Sequence, residues 1–229
     1  MTYFFPIAAC DIRAADVIFL CDGSDRVSDS DFITLTSFLS DLIDNFDIES
    51  QRMKIGVAQF GRLYKEIIDL GNSLTKTQWK TQIQSISKSR GPPQINFALR
   101  KVNLMFHPHA GGRRNAGVPQ TLVVITSGDP QENVADAVQI LKKSGVCVLV
   151  LGIGHVHKAQ LLPITGNSEK IITFQDFNRL KNVMVKKRIV REICQSCGKT
   201  SKCSFALYLF SFNCIFPVLH FPGRLLGQL

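Results

Sequence analysis

Five apolar residues, Val17-Ile18-Phe19-Leu20-Cys21, run without a polar break into Asp22-Gly23-Ser24-Asp25. A strand with one wet face alternates in polarity; a strand buried on both faces does not. This run therefore belongs inside a parallel sheet covered by helices on each side. In open sheets of that kind the ligand crevice lies beyond the carboxyl ends of the strands, which puts Asp22 and Ser24 at the functional rim. The same residues are good turn formers and helix N-caps, and on this stretch alone both readings stand.

The rest of the chain repeats the theme. Residues 121–126 and 146–151 are two more uninterrupted strand-like runs, and 53–60, 63–68 and 170–174 complete the set. Apolar residues at helical spacing mark helices over 29–45, 94–106, 134–143 and 176–191. A weaker helix over 78–86 carries Trp79, and a helical turn fits 155–162. The Gly- and Pro-rich stretch 107–119 reads as an exposed loop. Strands separated by helices predict an α/β protein with a Rossmann-like, doubly wound, mostly parallel sheet flanked by helices. The organisation expected is a lead-in over 1–15, one domain over 16–191, a cysteine-containing linker over 192–203 and an apolar tail over 204–229.

The blocks Asp22-Gly23-Ser24, Ile55-Gly56-Val57-Ala58-Gln59-Phe60, Thr121 to Gly128 and Gly145 to Gly154 together resemble a von Willebrand factor type A domain. The texture is most similar to the N-terminal A modules of collagen type VI alpha chains of the alpha-4, alpha-5 and alpha-6 group. The resemblance implies an extracellular-matrix adhesion module whose partners are matrix proteins, collagens or cell-surface receptors. Family members that hold Mg²⁺ use an Asp-x-Ser-x-Ser turn, a Thr from a second loop and an Asp from a third. Such a hard ion takes oxygen ligands at about 2.0–2.1 Å. Here Asp22 and Ser24 keep two of the metal positions, while Arg26, Ile95 and Ser127 replace the other three. A cation and an aliphatic chain at those places imply a degraded site, no resident cofactor and binding independent of Mg²⁺. They also suggest that Arg26 pairs with Asp22 in the metal's stead.

Seven cysteines bear on the compartment. Cys21 and Cys147 fall in strands and read as reduced core residues. The resemblance implies a disulfide between Cys10 and Cys194, which would close the domain in an oxidising compartment. Cys194-x-x-Cys197 with Cys203 lacks the fourth ligand that structural zinc requires. The opening ten residues do not read as a signal peptide, and no Gly-x-y repeat occurs. With the aromatic and almost uncharged tail, these features point to a truncated copy. A membrane enters only if that tail anchors.

Two other classes are weighed. An apolar strand ending in Asp22 with a second ending in Thr126-Ser127-Gly128 resembles haloacid-dehalogenase-type phosphatases, with Asp22 as nucleophile. That family wants a second Asp where Ser24 stands, and acids where Gly152-Ile153-Gly154-His155 has none, so the protein is read as no enzyme. The net charge of +9 makes anionic partners plausible, and Lys181, Lys186, Lys187, Arg188 and Arg191 gather on and beside the last helix. A glycosaminoglycan fits this patch; nucleic acid does not, because no aromatics interleave with the charges.

Overall fold

The computed structural model describes residues 14–198. Six strands form one sheet in the order β3-β2-β1-β4-β5-β6, with β1 Ala15–Asp22, β2 Met53–Phe60, β3 Lys65–Ile68, β4 Gln120–Thr126, β5 Val146–Ile153 and β6 Ile171–Phe174. Every neighbouring pair is parallel except β2 with the short edge strand β3. The helices are α1 Asp29–Leu42, α2 Lys76–Gln84, α3 Ile95–Val102, α4 Ala135–Lys143, α5 Lys158–Thr165 and α6 Val183–Gly198. The doubly wound α/β expectation holds.

The unbroken apolar run of β1 now has its cause. Val17, Phe19 and Cys21 enter one core with α1, α2 and α6, whereas Ile18 and Leu20 enter a second core with α3, α4 and α5. Strands β4 and β5 divide in the same way, Val123 and Leu149 to the first core, Val124 and Val150 to the second. Each such side chain, fully buried, contributes about 1.5–3 kcal/mol, so neither face could turn polar cheaply.

Local chemistry starts the helices. The Ser28 hydroxyl accepts the Asp31 N–H at 3.1 Å and caps α1. Thr75 and Gln78 form a reciprocal capping box on α2. Trp79 is buried, and its indole N–H donates to the Ile55 carbonyl at 3.3 Å; a register shift at Val57/Ala58 interrupts the β2–β3 ladder close by.

Three expectations need correction. The strand expected over 63–68 begins only at Lys65, because Gly61 to Leu63 form the bend that reverses the chain. The last helix is two elements: a 3-10 turn, Phe177–Lys181, then extended Asn182, then α6. Asn182 ends the first and starts the second, its side-chain oxygen accepting the Met184 N–H at 2.8 Å. Finally, 107–119 is no free loop. It holds two 3-10 turns, and its Arg113 reaches the fully buried Asp16 at the start of β1.

Candidate functional site

Strand order reverses about β1: its neighbours are β2 on one side and β4 on the other. The loops after β1 and β4 consequently leave in opposite directions and open a crevice at the carboxyl ends of the strands. Asp22 ends β1 there, buried. One carboxylate oxygen accepts the Ser24 N–H at 3.0 Å. The other accepts the Ser127 N–H at 3.1 Å and the Ser127 hydroxyl at 2.8 Å. Asp22 and Ser127 thus bind the β1 and β4 loops together directly. Gly23 fits because a Cβ there would come within 2.5 Å of the buried Gln59 side chain.

Arg26 does not fill the metal's place as expected. It is exposed, and its guanidinium donates to the Asp129 carbonyl oxygen at 3.0 Å. It lies across Gly128, where a Cβ would be 2.6 Å from the guanidinium Nη1. The cation turns to a neutral peptide oxygen while the acid takes neutral donors. Ser24 is buried, and its hydroxyl accepts the Arg26 N–H at 3.3 Å.

Ile95 opens α3 with its side chain in the second core. The N-cap residue Gln94 makes no side-chain cap; instead the Glu132 carboxylate accepts the Asn96 N–H at 3.0 Å, an acid placed well for the helix dipole. The loop before α3 is stitched to the loop after β1. Arg90, in left-handed backbone at φ 57°, donates its N–H to the Gly23 carbonyl at 2.7 Å, and Asp25 N–H donates to the Gly91 carbonyl at 3.0 Å. Lys88 and Arg90 both pair with Asp29, at 2.9 and 3.2 Å. Those two cations hold Asp29 below the usual carboxylate range, chiefly through the hydrogen bonds from Lys88 and Arg90.

Asp129 is a further rim residue. Its carboxylate accepts the His157 N–H at 2.8 Å and meets His157 Nδ1 at 2.7 Å, tying the β4 loop to the start of α5. Burial pushes the Asp129 carboxyl up, but the two bonds from His157 and the charges of His157 and Arg26 outweigh it and leave the group below its ordinary value. The only local signal was Asp129-Pro130, a turn pair.

The basic patch is less uniform than its sequence suggests. Lys186 turns inward to pair with Asp41 of α1. Lys181 sits in the 3-10 turn and donates to Asn178 Oδ1 at 2.9 Å. Lys187, Arg188 and Arg191 are exposed on α6, and among the described residues none of the three makes an ion pair. Cys21 is a free thiol that burial, with the charge of Asp22, pushes up; Cys147 is also free. Cys194 is disulfide-bonded, while Cys10, its expected partner, lies outside the described residues, as do Cys203 and the apolar tail. Among the described residues no helix is long and apolar enough to cross a membrane, and no group of three His, Cys, Asp or Glu is arranged to hold a metal.

Comparison with known proteins identifies the family to which this doubly wound sheet and its acidic rim belong. Residues 16–186 match the family model of the von Willebrand factor type A domain, and the chain belongs to that family. It is a collagen VI-like module: 192 of its residues, 84% of the chain, are 77% identical to the collagen alpha-5(VI) chain of Homo sapiens, and the same share is 42% identical to the collagen alpha-6(VI) chain of Mus musculus. It spans about 7–8% of the length of those relatives. Among solved structures, proximal thread matrix protein 1 of the mussel byssus superposes over 81% of this chain and 48% of its own, with TM-score 0.73 and 25% identity.

Proposed function

We propose that residues 16–191 act as a non-enzymatic interaction module of the extracellular matrix, binding matrix proteins, collagens or cell-surface receptors without a divalent cation. The observation that carries the metal-free reading is the state of Asp22: both of its oxygens are taken by protein donors, Ser24 N–H, Ser127 N–H and Ser127 O–H. A Mg²⁺ site needs near-octahedral oxygen at close range. Ile95 lies in the apolar core with no oxygen to give, and the Ser127 hydroxyl directs its proton at Asp22. The residues present do not fit the ion. The same commitment of Asp22 speaks against a phosphatase nucleophile, which must face its substrate. A Cys10–Cys194 disulfide would suit the oxidising compartment that this function implies.

The test is a thermal melt of the chain in millimolar Mn²⁺ or Mg²⁺ against chelator. Binding to the folded state raises the midpoint by mass action; none is expected. A saturable rise abolished by Asp22→Ala would restore a metal-dependent module. A second reading, glycosaminoglycan binding, draws support from the unneutralised face formed by Lys187, Arg188 and Arg191. Heparin retention that falls steeply with salt and disappears on charge reversal of those three would support it; salt-insensitive retention would sink it.

A further inference from the structure

Three of the exposed large apolar residues, Ile33, Val183 and Met184, belong to α1 and the start of α6. The elements to which they belong border a groove lined by Ile33, Thr34, Ser37, Phe38, Asp41 and Leu180. Its floor is apolar, supplied by Phe38 and Leu180. Ser37 creates the opening, because it is the small residue between Ile33 and Asp41 on one stripe of α1. The volume is about 180 Å³, comparable to the ~150 Å³ of an apolar cavity that admits a benzene ring. One large side chain fits.

The charged residues of the lining are Asp41, Lys181 and Lys186, which leave one positive charge in excess. At one end the Lys186–Asp41 pair cancels itself. Lys181, which also lines the groove, is exposed and makes no ion pair among the described residues, and Lys187 and Arg188 follow on the first turns of α6. An apolar slot edged by the uncompensated ammonium group of Lys181 complements a chain segment that is apolar at one position and acidic beside it. A sulfated polysaccharide offers the charge but not the apolar anchor.

We propose that the α1–α6 groove docks a peptide segment of a partner protein in which one large apolar side chain is flanked by Asp or Glu. This deepens the interaction-module reading by naming its surface; a partner bound on another face would defeat this proposal and leave that reading standing.

The full chain is used to select from a displayed library of random 12-residue peptides, and the winners are measured by fluorescence anisotropy. Enriched peptides are expected to combine a large apolar residue with neighbouring acids. Their affinity should fall at least tenfold on Ser37→Trp, which fills the slot from an exposed helix position, and severalfold on Lys181→Glu; a thermal melt checks that both variants fold. Lack of such a consensus, or affinity unchanged by Ser37→Trp, overturns the proposal. A heparin oligosaccharide serves as the second probe. Ser37→Trp should leave its retention unchanged, and loss of heparin and peptide together would mark the groove as a polyanion site and overturn the peptide assignment.

Discussion

Strand β1 carries a buried carboxylate at each end, and the two are satisfied in opposite ways. Asp16, at the amino end, meets a cation: Arg113 Nε and Nη2 lie 2.8 and 2.7 Å from one oxygen, and the Arg113 N–H and Gln120 Nε2 donate to the other at 2.7 and 3.2 Å. The same guanidinium donates to the carbonyls of Gln51, Ala15 and Arg52. Asp22, at the carboxyl end, meets only neutral donors drawn from its own loop and the loop after β4. One end is a closure, locked by a matched charge; the other is a junction, where an acid organises two loops and the nearby cation Arg26 bonds elsewhere.

That contrast can be broken at either end. The largest effect is expected from Arg113→Ala, which strands the fully buried Asp16 charge. Removing one partner of a buried pair costs about 3–5 kcal/mol, read as a lowered midpoint in urea. Adding Asp16→Asn to that variant should recover part of the loss; no recovery would mean that the carbonyl bonds of Arg113 matter more than the pair.

A smaller loss is expected from Asp22→Ala. It leaves Ser24 N–H, Ser127 N–H and the Ser127 hydroxyl without their acceptor, at about 1–3 kcal/mol. A cost equal to that of Arg113→Ala would erase the distinction between the two ends.

The smallest effect concerns Asp129 and acid. Its folded value lies below the ordinary one, with burial opposing and the His157 bonds prevailing. Its contribution is therefore complete above the ordinary carboxylate value near ~3.9 and disappears as pH falls through the lower folded value. Between pH 5 and 3 the wild type should lose more stability than Asp129→Asn; parallel curves from urea melts would remove Asp129 from the acid response.

Much of this was legible in the chain. Val17 to Cys21, residues 121–126 and residues 146–151 announced strands buried on both faces, because burial leaves its period in local sequence. The helices over 29–45 and 94–106 followed from spacing, and the family from four blocks in order. Asn182 was a readable N-cap overlooked within a longer apolar period. Asp16 also left a signal: a carboxylate in a run otherwise apolar on both faces needs a partner.

Where that partner lay was not readable. Arg113 is 97 residues away in a Gly-rich stretch that looks like loop. Glu132 reaches the start of α3 from 36 residues away. Arg26 stands within four residues of Asp22 yet bonds to Asp129. Lys186 and Lys187 are neighbours in sequence, yet one is paired across to α1 and the other faces water. Sequence alone determined which segments are strands and helices and which faces are apolar, because those depend on periodicity within a few residues. Only the tertiary structure decided which charges meet, because a polar side chain takes its partner from whatever loop the packed core brings within about 3 Å.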